Sequence, residues 1–160
     1  MNEHTEQQQF VEEVGMYFER IGLTRMEGRI IGWLLICEPR QQSMGDLVAA
    51  LGASKSSVSV ALRTLVTLYL VERVSIPGDR RDYYKVSADM WNRSFHARLN
   101  QLTELRQLAE RGIDLLADET PERRRRLELM RDHNAYMEQE FPKLLEGWEA
   151  IKKARGYDSL

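Results

Sequence analysis

The 160-residue sequence predicts a mainly α-helical chain with one small β-hairpin. Three observations predict it. Apolar residues recur every three to four positions through most of the chain, the spacing of one helix face. Residues that favour strands gather in one place, Val71–Ile76 and Asp82–Val86, on either side of the turn Pro77-Gly78-Asp79. After residue 88 two long apolar-periodic stretches follow with no strand signal between them.

Taken in order, residues 5–20 form a first helix with Phe10, Val14, Tyr17, Phe18 and Ile21 toward one side. Thr24 caps a second helix that runs to Cys37. Glu38-Pro39 ends it, because the residue before proline is pushed out of the helical region. Ser43 caps a third helix through Leu51, Gly52-Ala53 makes a tight turn, and Ser54 caps a fourth helix reaching Tyr69. On that helix Val58, Ala61, Leu62, Leu65 and Leu68 share an apolar face, and Lys55, Ser56, Ser59 and Arg63 lie opposite. Beyond the hairpin, Trp91, Phe95, Leu99, Leu102, Leu105, Leu108 and Ile113 mark a long helix from about Asp89 to Ala117. Thr120-Pro121-Glu122 supplies a cap, a proline at the first helical position and an early acid. The last helix turns Leu127, Met130, Met137, Phe141, Leu144, Trp148 and Ile151 inward, and Pro142 is expected to kink or split it.

Two capped helices joined by a glycine turn and followed by a hairpin make a winged helix-turn-helix, here over residues 22–87. Such a unit lays its second helix in a DNA major groove with the wing beside it. The candidate DNA-binding residues are Ser43, Ser54, Lys55, Ser56, Ser57, Ser59, Arg63, Asp79, Arg80 and Arg81. Short hydroxyl side chains let the backbone approach the groove, and Lys55 and Arg63 reach phosphates or guanine edges. Arg80 and Arg81 at the wing tip suit minor-groove or phosphate contact. Asp79 can hold an arginine in position through a charge-assisted bond. A capped helix with a merely solvated polar face would look the same in isolation; the preceding helix and the following hairpin favour DNA.

Bulk charge does not announce a polyanion binder: 23 Lys and Arg stand against 25 Asp and Glu, a formal −2. Its distribution does. Between residues 53 and 85, Lys55, Arg63, Arg73, Arg80, Arg81 and Lys85 outnumber Glu72, Asp79 and Asp82, leaving +3. The first twenty residues hold five glutamates, Glu3, Glu6, Glu12, Glu13 and Glu19, against Arg20. A local basic surface on an acidic body orients the molecule toward a polyanion. The competing class is a winged helix used for protein–protein contact without specific DNA binding, against which the arginine-bearing tip argues.

The length suits one domain, or a small domain with an appended assembly element. A helix of about 28 residues spans about 42 Å, too long for the winged unit to cover. A second copy is the economical partner for its apolar stripe, so residues 1–21 and 88–160 are expected to form a helical dimerisation region. A two-fold dimer would match an inverted-repeat operator; a monomeric hairpin closing on itself is the alternative. The apolar run from Ile30 to Cys37 is far short of a membrane span. With no signal peptide visible at the N-terminus and a single cysteine, a cytoplasmic protein is expected.

Other features point to bland roles. Arg123-Arg124-Arg125-Arg126 reads as a solvated helix surface offset by Glu119, Glu122 and Glu128, rather than as a second nucleic-acid patch. Cys37 ends an apolar helix with no cation adjacent in sequence, and reads as inert rather than redox-sensing. His4, His96 and His133 lack ligand spacing, so no metal is expected. Without a phosphate-binding glycine loop or a nucleophile motif, neither a cofactor nor an enzymatic activity is expected.

From about residue 10 to 155 the chain resembles the MarR-like winged-helix regulators, and more closely their GbsR-type branch. The likeness rests on Phe10-Val11-Glu12-Glu13-Val14-Gly15, on Leu23-Thr24-Arg25-Met26-Glu27-Gly28-Arg29-Ile30-Ile31-Gly32-Trp33-Leu34-Leu35, on Ser54-Lys55-Ser56-Ser57-Val58-Ser59, and on Gly78-Asp79-Arg80-Arg81-Asp82-Tyr83-Tyr84. The chain is also similar to mycobacterial MarR-type repressors of MmpS/MmpL efflux systems, although the start of its recognition helix departs from them. The resemblance implies a homodimeric repressor of efflux or transport genes, released from DNA by a lipophilic small molecule. It places the effector where the winged domain meets the dimerisation helices, with Phe18, Met26, Trp33, Leu70, Trp91 and Phe95 as candidates. Taken singly, each of these reads first as ordinary core.

Overall fold

The computed structural model describes residues 3–157. It divides into two compact units, one ending at Met90 and the other beginning at Trp91. Residues 1–2 and 158–160 of the expected helical region lie outside the described residues, as do the details of the His4 side chain.

Close glycine packing begins the first unit. Helices α1 (Glu3–Arg20) and α2 (Arg25–Ile36) approach through Gly15, Gly28 and Gly32. A Cβ on Gly28 would lie 2.9 Å from the Gly15 Cα and 2.9 Å from the Phe18 Cβ, so only hydrogen fits there. This crossing also decides which side of α1 is buried. Val11, Gly15 and Phe18 turn inward, whereas Phe10, Tyr17 and Ile21, expected on that side, are exposed. Thr24 starts α2 with a reciprocal cap: its Oγ1 accepts from the Glu27 N–H at 3.3 Å, and its own N–H donates to Glu27 Oε2 at 2.7 Å. The helix stops at Ile36 with Cys37 as its C-cap, and Glu38-Pro39 follows as expected.

Ser43 and Asp46 cap α3 (Met44–Leu51) in the same way, and Gly52 closes it at φ 57, a left-handed conformation suited to glycine. The Ser54 Oγ accepts from the Ser57 N–H at 3.2 Å and starts α4 (Lys55–Thr67). That helix ends two residues before Tyr69, which itself takes φ 58 and cannot continue it. Leu68 is therefore a C-cap and exposed, not part of the apolar face. Val58, Ala61, Leu62 and Leu65 do form that face, packing with Ile30, Ile31, Leu34, Leu47, Val71 and Met90 in one buried core.

The hairpin pairs β2 (Val71–Ser75) with β3 (Asp82–Val86) in antiparallel register from Val71↔Val86 to Ser75↔Asp82. A third strand, β1 (Gln42–Ser43), pairs with the other edge of β3 through Gln42↔Tyr84 and Ser43↔Tyr83. The sheet order is β1-β3-β2. Two residues carry no readable period, so β1 was invisible in the sequence. Its effect is to tie the start of α3 to the wing.

The second unit is built from α5 (Met90–Leu115), whose first residue belongs to the first unit's core, and α6 (Pro121–Ala154). Side chains pair them antiparallel. Asn92 bonds Glu149, the Phe95 and Phe141 rings lie 5.7 Å apart, Arg106 reaches Glu138 at 2.6 Å, and Gly112 admits the Leu127 side chain. Thr120 occupies the N-cap of α6 without a side-chain capping bond, and Pro121 takes the first helical position. Pro142 does not split α6, which continues through it, since one lost backbone bond is small in a 34-residue helix. Leu144 and Ile151 are exposed rather than inward, together with Leu105, Leu108, Leu129 and Tyr136. No described helix is long and apolar enough to cross a membrane.

Candidate nucleic-acid interface

The two-residue strand β1 and the caps of α3 and α4 bring three of the expected contact residues, Ser43, Lys55 and Arg81, to one cleft. Ser43, Asp46, Lys55, Arg81 and Tyr84 line it, with a volume of about 470 Å³. Lys55 is the first residue of α4, where unpaired N–H groups and the helix dipole add positive potential, and no acidic side chain stands in that first turn.

Ion pairing sorts the basic residues of this region. Arg73 meets Asp82 at 3.5 Å, Lys85 meets Glu72 at 3.4 Å and Arg81 meets Asp79 at 2.7 Å. Each of the three acids between residues 53 and 85 is thus spent on one base. Lys55, Arg63 and Arg80 are left, all exposed and without an ion pair among the described residues. The local +3 is therefore carried by two positions on α4 and one at the wing tip.

The wing tip is held by a clasp. Asp79 accepts from the Arg81 N–H at 2.9 Å, from Arg81 Nη2 at 2.7 Å and from the Tyr83 hydroxyl at 2.7 Å. The Arg81 guanidinium lies 5.3 Å from the centre of the Tyr83 ring. The Arg81 bonds, then that of Tyr83, hold the Asp79 carboxyl far below the usual carboxylate range, and Asp79 in turn raises the Arg81 guanidinium. Asp46 is also lowered, first by the Ser43 hydroxyl and then by the Ser43 N–H.

The serines divide by burial. Ser43 is only 4% exposed, and its hydroxyl donates to Asp46 Oδ2 at 2.7 Å, so its side chain is committed to the cap. Ser54 and Ser56 are exposed with their hydroxyls 3.0 Å apart, and Ser57 and Ser59 are half-buried. Between Ser56 and Arg63 on the outward face of α4 stands Val60, 55% exposed. Its i+4 spacing from Ser56 makes it an apolar residue among polar neighbours.

Of the candidate effector residues, Phe18 is buried in the first unit's core, and Met26, Trp33 and Leu70 pack against that core. The Trp33 Nε1 donates to Gln42 Oε1 at 3.3 Å. Trp91 and Phe95 belong to the second unit, and both are exposed. Phe95 borders a groove of about 160 Å³ with Leu99, Phe141 and Leu145. In the arginine run, Arg123 pairs with Glu119 at 2.5 Å and Arg124 donates to the Ala117 carbonyl at 2.9 Å. Cys37 is buried, and burial pushes its thiol up to about 11. Among the described residues no cluster of His, Cys, Asp or Glu has the geometry to hold a metal ion.

Known proteins match both units. Residues 21–82 match the MarR family, and residues 89–151 match the MmpR5-like MarR family transcriptional regulators. The HTH-type transcriptional regulator MmpR5 of Mycobacterium tuberculosis is 42% identical over 130 residues, which cover 81% of this chain and 79% of that one. The HTH-type transcriptional repressor OpcR of Bacillus subtilis is 26% identical over 89 residues, 56% of this chain and 47% of the relative. A crystal structure of a transcriptional regulator, 39% identical, superposes with a TM-score of 0.74 over 91% of this chain and 99% of that one.

Proposed function

The chain belongs to the MarR family of transcriptional regulators, and we propose that it acts as a homodimeric repressor of efflux or transport genes, released from its operator by a lipophilic small molecule. The observation that carries DNA binding is the set of uncompensated cations, Lys55 and Arg63 on α4 and Arg80 on the wing. In this reading α4 enters the major groove. Lys55 and Arg63 meet phosphates or guanine edges there, and the Ser54, Ser56, Ser57 and Ser59 hydroxyls allow close approach. Arg80 and the clasped Arg81 reach backbone or minor groove, with Asp79 holding the second arginine. Ser43 acts by fixing the start of α3.

Dimerisation is favoured by the apolar side chains that α1, α5 and α6 leave uncovered: Tyr17, Leu108, Leu129 and Tyr136 among them. A two-fold dimer presents two α4 helices to successive major grooves of an inverted repeat in cytoplasmic DNA. The effector would favour a dimer whose α4 spacing no longer fits, contacting some of Phe18, Met26, Trp33, Leu70, Trp91 and Phe95. The gene set, the effector class and a place in the GbsR-type branch follow from the resemblance.

A fluorescence anisotropy titration against promoter DNA from the gene's own neighbourhood tests the reading. Binding should be tight, two chains per site, and weakened by members of a lipophilic compound panel. Absence of binding even at low salt would favour the protein–protein alternative, and affinity unchanged across the panel would remove the effector.

A further inference from the structure

We propose that Val60 is a specificity residue that reads the 5-methyl group of a thymine in the major groove. The proposal rests on α4 being the recognition helix, as argued above. At 3.6 residues per turn, Val60 lies roughly 150° round α4 from the centre of the stripe formed by Val58, Ala61, Leu62 and Leu65. It is 55% exposed, while all four of those residues are buried. Its neighbours on the outward face are Ser56 one turn before and Arg63 one turn after, both exposed. A β-branched apolar side chain there adds nothing to the core and lowers helix propensity slightly relative to alanine. The polar groups beside it are also partly spent. The Ser56 hydroxyl meets that of Ser54, and the Thr64 hydroxyl donates back to the Val60 carbonyl at 3.4 Å.

A branched methyl pair framed by a cation and a short hydroxyl matches one major-groove feature. Among the four bases, thymine alone offers a methyl group, and apolar side chains recognise it by contact. Arg63 lies about 4.5 Å further along the helix axis, close enough for the two side chains to meet neighbouring base pairs. The geometry therefore assigns a thymine to each half-site at the position facing Val60, next to the base pair or phosphate that Arg63 meets.

The test uses a duplex enriched from a random-sequence pool by the wild-type chain. Each thymine in turn is replaced by deoxyuridine, which removes only the methyl group. At one thymine per half-site the replacement should weaken wild-type binding about fourfold, the value of one buried methyl-sized group. Val60→Ala, which shortens a side chain more than half exposed and should fold normally, should weaken binding to the thymine duplex and shrink the penalty at that position alone. Penalties that are the same in Val60→Ala and wild type at every thymine would overturn the proposal while leaving DNA binding intact. Failure of the pool to yield any enriched duplex would overturn the DNA-binding reading itself, and this inference with it.

Discussion

Asp79 and Arg81 are locked together at the tip of the wing, the guanidinium bonding both carboxylate oxygens while the Arg81 N–H donates to the same acid. Tyr83 completes the clasp from strand β3. Arg80, between them in sequence, carries no such restraint, so one wing arginine is pre-positioned and its neighbour is free to search.

The clasp should respond to acid in one direction only. The Asp79 carboxyl is depressed in the folded chain, so its contribution is present above the ordinary carboxylate value of about 3.9 and is lost as pH falls through the lower folded value. Wild type should melt above Asp79→Asn at neutral pH, with the gap narrowing below about pH 4. A gap that widened on acidification would contradict the assignment.

The arginine run on α6 should be silent in DNA binding. Arg125 and Arg126 are exposed on the second unit, and the double substitution Arg125→Ala/Arg126→Ala is expected to leave the salt dependence of binding unchanged. A shallower slope in that variant would add this helix to the interface.

Close packing of α1 on α2 predicts opposite outcomes for two glycines. Gly28→Ala would press a Cβ against backbone at 2.9 Å and should cost about 1–3 kcal/mol in a urea titration. At Gly147, inside α6, an added Cβ meets nothing within 4 Å, and alanine should stabilise by about 0.5–1 kcal/mol.

The thiol of Cys37 should be unreactive in the native chain. With its value raised to about 11 by burial, only about one thiol in a thousand is ionised at pH 8. Iodoacetamide should label it slowly until denaturant is added, and Cys37→Ala should bind DNA as wild type does. Rapid native labelling would reopen a redox role.

Local signals in the sequence proved the most legible. Thr24, Ser43 and Ser54 stand at helix starts because capping depends on neighbours within three residues. The Asp79–Arg81 bond was equally readable from a two-residue spacing. What escaped depends on distant partners. The apolar spacing groups Phe10, Tyr17 and Phe18 on the inner side of α1, yet the close approach at Gly15 and Gly28 buries Phe18 with Val11 and leaves Phe10 and Tyr17 exposed. Periodicity marked Leu144 and Ile151 as apolar-face residues but could not say that one chain leaves them uncovered. Cross-strand pairing cancels Arg73 and Lys85, which no count of charges reveals.

In the proposed reading Lys55, Arg63 and Arg80 carry DNA binding. The slope of log affinity against log salt, compared between wild type and the triple variant Lys55→Ala/Arg63→Ala/Arg80→Ala, measures their share. Each phosphate contact contributes about 0.9 to that slope, so a dimer losing three per chain should flatten by about 5, with the fold unchanged by circular dichroism. A triple variant that is folded and keeps the wild-type slope would contradict the account.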